Sequence, residues 1–184
     1  MLPTMFFTMI TALLLGMGVP TTANYVITST IASPALVQMG IPVLAAHMFV
    51  FYFGIIADVT PPVALAAYAG AAISGGNALK TGVNASKLAI AAFIIPYIFV
   101  LSPVILMINA TPLGLVMTLI TAMIGMIALS SSLIGHLVTD MNIVERVVLF
   151  AGGLLMIIPG TATDLGGFTI FAILIFLQKR RQKQ

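Results

Sequence analysis

The stretch that decides the fold is GMGVPTTANYVI, residues 16–27, which places Gly, Pro and Thr inside a long apolar region. A second stretch of this kind, ADVTPPVALAAY, follows at residues 57–68. Glycine and proline both weaken a helix, proline because it has no N–H and clashes with the preceding turn. The two stretches therefore predict helices that stop and resume rather than continuous helices.

The composition identifies an integral membrane protein. Hydrophobic residues form 61% of the 184 residues and charged residues only 6%, whereas a soluble domain carries about 25% charged residues. Residues 1–57 and 88–139 contain no Asp, Glu, Lys or Arg, and each run exceeds the roughly 20 residues that cross a bilayer. Continuous apolar runs without alternation favour an all-α membrane protein over a β-barrel.

Several functional classes are excluded or made improbable by what the sequence lacks. The chain has no cysteine, which excludes disulfides, thiol chemistry and cysteine-ligated metal sites. The metalloprotease, hydrolase and nucleotide-binding motifs are also missing, so we predict that the chain is not an enzyme. The net charge of +3 does not indicate nucleic-acid binding, because most of the basic residues stand in a short tail that predicts a cytoplasmic C-terminus. The basic residues of this tail are Lys179, Arg180, Arg181 and Lys183.

Apolar segments divide the chain, and several are too short to cross a membrane alone. Fourteen helical residues rise about 21 Å, less than the roughly 30 Å of hydrocarbon. The first two segments therefore predict a re-entrant hairpin, 4–39, and the next two predict one broken helix, 43–74. Paired, interrupted segments indicate a transporter binding site. The predicted segments are Thr4–Met17, Ala23–Met39, Val43–Ala57, Val63–Ser74, Leu88–Ile108, Pro112–Leu137 and a last pair, Val147–Ile158 and Leu165–Leu177.

The charges between the segments predict a topology. The polar stretch SGGNALKTGVNASK, residues 74–87, is expected as a surface loop or a short interfacial helix. With the basic tail inside, this stretch and its Lys80 and Lys87 also fall inside, as the positive-inside rule requires. The broken helix then crosses from outside to inside, and both ends of the hairpin lie outside.

The two breaks predict a cation site. Pro61 and Pro62 leave carbonyls one turn back without donors, and threonine hydroxyls add further hard oxygen ligands, which suit Na⁺. Asp58 is an intramembrane carboxylate and therefore a functional candidate, either as a cation ligand or as a proton carrier. The alternative is that it caps the following half-helix. The predicted cation-binding residues are Gly16, Gly18, Thr21, Thr22, Asp58 and Thr60.

The same breaks predict contacts to an anionic substrate. The N-terminus of a resumed half-helix carries partial positive charge and can face a carboxylate. The predicted substrate-binding residues are Pro20, Ala23, Asn24, Pro61 and Pro62. We predict no cofactor and no metal beyond the coupling cation.

Three stretches carry a resemblance to a known family: GMGVPTTANYVITSTIASPALVQMGIP, AAHMFVFYFGIIADVTPPVALAAYAGAAISG and FIIPYIFVLSP. Together they resemble the second half of the large membrane subunit of TRAP transporters, with the closest likeness to TAXI-type fused permeases. The resemblance covers roughly residues 1–105, and residues 106–184 resemble the extra helices of the fused permeases more loosely. It implies an elevator-type fold with two inverted repeats, each holding a re-entrant hairpin and a broken helix. It also implies import of organic anions, usually carboxylates, with a cation gradient, typically Na⁺, and an extracytoplasmic binding protein.

The resemblance also assigns roles and reveals departures. It matches residues 16–23 with the hairpin tip and residues 57–62 with the unwound part of the broken helix, which together would form one cation site and half of the substrate site. Many family members have glycine before the Thr-Pro-Pro region where this chain has Asp58 and Val59, so proton coupling stays open. The first repeat is absent, and we expect a fragment whose partner is the missing N-terminal half of the permease. The expected location is a bacterial or archaeal inner membrane.

Two other functions stay open: a passive ion channel, which also uses broken helices, and an inert or structural fragment. The remaining polar residues have structural interpretations. We expect His47 to be a hydrogen-bonded packing residue, and His136 with Asp140 to form an interfacial cap on one helix face. Glu145 and Arg146 are expected at a solvated interface. Asp164 is expected to cap the last helix.

Overall fold

The computed structural model describes residues 1–182, and their regular elements are helices. The chain divides into two compact units, Met1–Val100 and a second that begins at Leu101. Lys183, one of the predicted tail residues, lies outside the described part. The α-helices are α1 Leu2–Leu15, α2 Thr21–Ile31, α3 Ser33–Gln38, α4 Val43–Ile56, α5 Leu65–Ser74, α6 Ala78–Leu88, α7 Ile95–Leu101, α8 Pro112–Ile134, α9 Ile143–Ile157 and α10 Thr161–Gln182.

In the first unit, α4 forms the centre. Helices α1, α2 and α3 all pack on it, and it is therefore buried on several faces. Phe49 and Phe53 of α4 make edge contacts with Tyr97 of α7, at ring-centroid distances of 5.3 and 6.0 Å. Helix α5 instead pairs with α6.

The predicted interruptions are present in this unit. A turn separates α1 from α2, and irregular backbone with a 3₁₀ turn at Ala57–Val59 separates α4 from α5. The predicted second segment, Ala23–Met39, is itself divided at Ala32 into α2 and α3. The re-entrant position of the hairpin, the elevator arrangement and the topology stay predictions.

In the second unit, α8, α9 and α10 pack side by side. Helices α8 and α10 are long and apolar enough to cross a membrane. Thr111 caps α8 by accepting a hydrogen bond from Gly114 N at 3.1 Å, and Gly135 ends it with a φ of +90°. Asn142 and Glu145 form a reciprocal capping box at the start of α9, an arrangement that satisfies two N–H groups which the helix leaves open.

Some expectations for single segments were wrong. The region 88–108 is not one helix, because 3₁₀ turns at Ile90–Phe93 and Pro103–Leu106 flank the short α7. Of the two alternatives for the stretch that carries Lys80 and Lys87, a surface loop or a short helix, the structure has the helix, α6, with Asn77 as its N-cap. Asp164 lies within the first turn of α10 rather than before it.

The charged residues near the α8–α9 connection also differ from expectation. Glu145 is buried, not solvated, and the Arg181 guanidinium donates to its carboxylate with an Nη2–Oε1 distance of 2.6 Å. His136 and Asp140 are joined at 2.8 Å, but they lie in the turn after α8 and not on a helix face.

Candidate functional site

The first part of the site is the turn between α1 and α2. Gly16 ends α1, and Gly18 has a φ of +74°, which favours a residue without a Cβ. Pro20 occupies the N-cap position of α2, and no side chain caps this helix end. The exposed first turn of α2, Thr21 to Ala23, thus presents N–H groups of the kind that bind anions at helix N-termini.

Asn24 follows this turn and is almost fully buried, with 3% of its surface exposed. Its amide lies between α1 and α4: a Cβ built on Gly16 would stand 2.8 Å from Asn24 Nδ2, and one on Gly54 would stand 2.6 Å from it. Glycine at both positions is therefore what makes room for the amide. Asn24 Oδ1 is buried and has no hydrogen-bond partner among the described residues. An unpartnered buried acceptor is costly, and it is the kind of oxygen that a cation would satisfy.

The second part of the site is the break between α4 and α5. After the 3₁₀ turn, Thr60 adopts an extended conformation, the Pro61–Pro62 peptide bond is cis, and Ala64 has a left-handed φ of +41°. The chain resumes as α5 at Leu65.

The sequence predicts that Pro61 and Pro62 leave carbonyls one turn back without donors, but one of these, Ala57 O, accepts from Thr60 N at 3.2 Å. Three further carbonyls at the break accept hydrogen bonds from side chains. Thr60 Oγ1 donates to Ile56 O at 2.8 Å, within its own turn. Ser86 Oγ of α6 shares its one proton between Val59 O at 3.2 Å and Gly82 O of its own helix at 3.0 Å. Tyr68 OH of α5 donates to Pro62 O at 3.0 Å. Two of these three donors come from outside the break, so α5 and α6 hold the irregular backbone in place.

A cavity of about 130 Å³ joins the two parts of the site. Of the predicted site residues, Thr60, Pro61 and Pro62 line it together with Met17 of the first turn. This volume is below the roughly 300–1,000 Å³ of small-molecule pockets, so it suits an ion with water better than a whole organic anion. The complete lining is Leu13, Leu14, Met17, Ala57, Thr60, Pro61 and Pro62.

The other predicted residues lie outside this cavity lining. Asp58 is partly exposed, and within residues 1–182 its carboxylate takes part in none of the side-chain hydrogen bonds or ion pairs. Thr21 and Thr22 are exposed on the first turn of α2, and Pro20 is exposed just before it. The predicted residues thus form two groups: one lines the cavity, and the other stands around the helix N-terminus and the 3₁₀ turn.

His47 has the packing role expected from the sequence. Its Nδ1 is 2.9 Å from Tyr25 OH, and the Tyr25 ring meets Phe51 edge-on at 5.4 Å. These contacts join α2 to α4 through Tyr25, the residue directly after Asn24, and so they fix the helix that carries the Asn24 amide.

Comparison with known families gives one result. Residues 2–114 match the family model described as the DctM component of the tripartite ATP-independent periplasmic transporter. The matched region includes both interrupted helix pairs and the cavity between them. The comparison with curated proteins and the comparison with solved structures found no match.

Proposed function

The chain belongs to the DctM family, the large membrane component of TRAP transporters, and on that premise we propose that it imports organic anions, most simply carboxylates, by using a cation gradient. We further propose that it is of the TAXI type, in which an extracytoplasmic binding protein delivers the substrate. In this proposal the coupling cation is Na⁺, and H⁺ is the alternative that Asp58 leaves open.

The observation that carries the proposal is the meeting of the two helix breaks at one cavity. The end of α1 and the backbone after α4 line a common space of about 130 Å³. Irregular backbone within a membrane is tolerated only where it is buried in protein or lines a cavity. The irregular backbone after α4 lines such a cavity, and the end of α1 lines it too. This arrangement supports a transport site here better than a purely structural break.

We assign the cation to oxygens that stand at the two helix breaks. The candidate ligands are the Asn24 side-chain oxygen, which is buried without a partner, and the Thr60 hydroxyl at the cavity wall. Hard oxygen ligands suit small hard cations. The Asp58 carboxylate is partly exposed, and we propose that it carries a proton or steers cations towards the break.

We assign the substrate anion to the N-terminus of α2. Its first-turn N–H groups and the hydroxyls of Thr21 and Thr22 are exposed, and a helix N-terminus favours a carboxylate. The cavity between the breaks is too small for a whole organic anion. We therefore propose that this chain supplies half of the substrate site and that a second repeat of the permease supplies the other half.

The testing experiment is transport in proteoliposomes. The chain is reconstituted together with the first-repeat half of a related TRAP permease, and a binding protein and a labelled dicarboxylate are supplied. Na⁺ and proton gradients are imposed separately. We expect uptake that needs both the binding protein and one of the gradients. Gradient-independent leakage would instead support a passive channel, and absence of any flux under all conditions would support an inert fragment.

Asn24→Leu separates the proposed ligand role from a packing role. Leucine has a similar shape and removes the unpartnered buried oxygen, so the thermal stability should be unchanged or higher. Uptake should nevertheless fall at least about tenfold, because the cation loses one ligand of the site. Wild-type uptake from this variant would remove Asn24 from the cation site.

A further inference from the structure

The second unit contains a separate cavity of about 380 Å³ where α8 ends and α9 begins. Its walls are mostly apolar, and Arg146 is the one charged residue that lines it. The cavity thus combines one positively charged side chain with apolar walls, whereas the described residues that line the cavity of the proposed transport site are all uncharged. The lining is Ser132, Leu133, Ile143, Arg146, Val147 and Phe150.

The Arg146 side chain is held in place by the end of α8. Its Nε donates to Ser132 O and its Nη2 donates to Leu133 O, both at 2.8 Å. The guanidinium also lies against Gly135, where an added Cβ would stand 3.5 Å from Arg146 Cζ. Since a guanidinium has five N–H groups, donors remain beyond the two that these bonds use.

No carboxylate neutralises this charge within residues 1–182. The ion pairs there join His136 with Asp140 and Glu145 with Arg181, and neither involves Arg146. The positive charge therefore faces the cavity with a fixed geometry and without a counter-ion from the described chain.

The depth and the exposure of the walls indicate the kind of ligand. Arg146 contacts carbonyls of the last turn of α8, and α8 is long and apolar enough to cross a membrane. Its guanidinium therefore stands at the level of lipid headgroups. Ile143 and Val147 are 79% and 63% exposed, so the apolar wall is open to the side. A phosphate at the guanidinium with an acyl chain along this wall would satisfy both parts of the cavity.

The surrounding charge favours an anionic headgroup. Contacts of Gln178 with Val138 N and of Arg181 with Glu145 bring the end of α10 beside the α8–α9 connection. Basic residues outnumber acidic ones at this end by four to two in the described chain. They are Arg146, Lys179, Arg180 and Arg181 against Asp140 and Glu145.

We propose that this cavity binds one anionic phospholipid, with its phosphate on Arg146 and one acyl chain along Val147 and Phe150. The site is independent of the transport site, since its residues all lie in the second unit.

The absence of tryptophan from the chain allows a direct test. Phe150→Trp places a single tryptophan in the cavity, and Met123→Trp places one at an exposed position of α8 away from Arg146. Each full-length variant is reconstituted in phosphatidylcholine with a small fraction of brominated phosphatidylglycerol, whose bromines quench tryptophan on contact. We expect about fivefold enrichment of the anionic lipid at residue 150 over residue 123, the scale of one basic residue at an anionic membrane.

Arg146→Gln in the Phe150→Trp background identifies the cause. The enrichment should disappear, whereas quenching by brominated phosphatidylcholine should persist because the apolar wall stays open. A titration of brominated phosphatidylglycerol against the protein with Arg146 intact gives a second readout: quenching should saturate at a low lipid fraction.

Four outcomes would overturn the proposal. Equal enrichment at residues 150 and 123 would mean that only bulk lipid is sampled. Enrichment that survives Arg146→Gln would assign the effect to the basic tail. Failure of both brominated lipids to quench at residue 150 would show that protein covers the cavity. Competition by soluble glycerophosphate would instead identify a site for free phosphate compounds.

Discussion

Glycines allow close approach in both units of the molecule, but different groups occupy the space that they leave. In the first unit, Gly16 and Gly54 make room for the polar amide of Asn24 beside a helix break. In the second unit, Gly153 and Gly167 make room for neighbouring backbone and aliphatic side chains of continuous helices. A Cβ on Gly153 would stand 3.0 Å from Gly125 O, and one on Gly167 would stand 2.6 Å from Gly152 O.

This difference separates a site from a scaffold. Close helix packing through small residues is an ordinary way to hold membrane helices together, and the second unit uses it along unbroken helices. The first unit uses the same residue type to enclose an unpartnered polar oxygen, which lowers stability unless a ligand satisfies it. Glycine substitutions should therefore affect transport in the first unit and stability in the second.

The largest effect is expected from Gly54→Ala. The new Cβ would clash with Asn24 Nδ2 at 2.6 Å and would displace the amide from the site. We expect uptake in the proteoliposome assay to fall about 100-fold, the scale on which a displacement of about 1 Å acts on a positioned group. Gly70→Ala on α5 is the matched control, because nothing lies within 4 Å of its added Cβ. Equal uptake by the two variants would disconnect Asn24 from transport.

In the second unit, Gly167→Ala should act on stability. Its Cβ would meet Met156 Cγ and would stand 2.6 Å from the backbone oxygen of Gly152, so α9 and α10 would have to separate. We expect a loss of about 1–3 kcal/mol in the free energy of unfolding, measured by thermal or denaturant unfolding in detergent. Gly166→Ala is the adjacent control, since its nearest atom, Leu155 Cδ1, is 3.9 Å away. A loss of the same size in both variants would show that helix separation is not the cause.

The features that the sequence predicts correctly are those with a local cause. The breaks near Gly16 and Pro61 were predicted because glycine and proline act on their own turn of helix. The partners that complete these breaks were not predicted: Ser86 reaches Val59 O from 27 residues away, and Asn24 is enclosed by a glycine on another helix. Such pairings depend on how helices pack, and no spacing in the sequence encodes them.

The second unit gives the same lesson for charge. Glu145 and Arg146 are adjacent, and their neighbourhood in the sequence is polar, which is why a solvated interface was expected. The structure instead pairs Glu145 with Arg181, 36 residues later, and turns Arg146 towards the end of α8. The sequence does contain one indication that Glu145 has a structural role: Asn142 and Glu145 have the spacing of a capping box, and this box begins α9.

The Glu145–Arg181 pair predicts a pH dependence. The hydrogen bond from Arg181 holds the pKa of Glu145 below its ordinary value of 4.5. The pair's stabilisation is therefore present above pH 4.5 and is lost as the pH falls through the lowered pKa. Glu145→Gln keeps the capping box and should cost about 1 kcal/mol at neutral pH, because Arg181 is half exposed.

The measurement is thermal unfolding of the wild type and of Glu145→Gln between neutral pH and pH 3. The difference between the two proteins should shrink as the pH falls below 4.5. A difference that is constant over this range would mean that the carboxylate charge does not stabilise the unit.

The smallest expected effect concerns the donors that hold the break after α4. Ser86→Ala removes the contact with Val59 O together with the hydroxyl's bond to Gly82 O inside α6, and it keeps a good helix-forming residue at this position. We expect local opening to become easier by about 0.5–1.5 kcal/mol, so that the amide of Ala64, which donates to Thr60 O at 3.1 Å, exchanges its hydrogen several-fold faster. Ser29→Ala is the control, since Ser29 Oγ donates only within its own helix, to Val26 O. If exchange at Ala64 is unchanged by Ser86→Ala, the irregular backbone is held by its own turn, and the first unit needs no support from α6 to keep its site open.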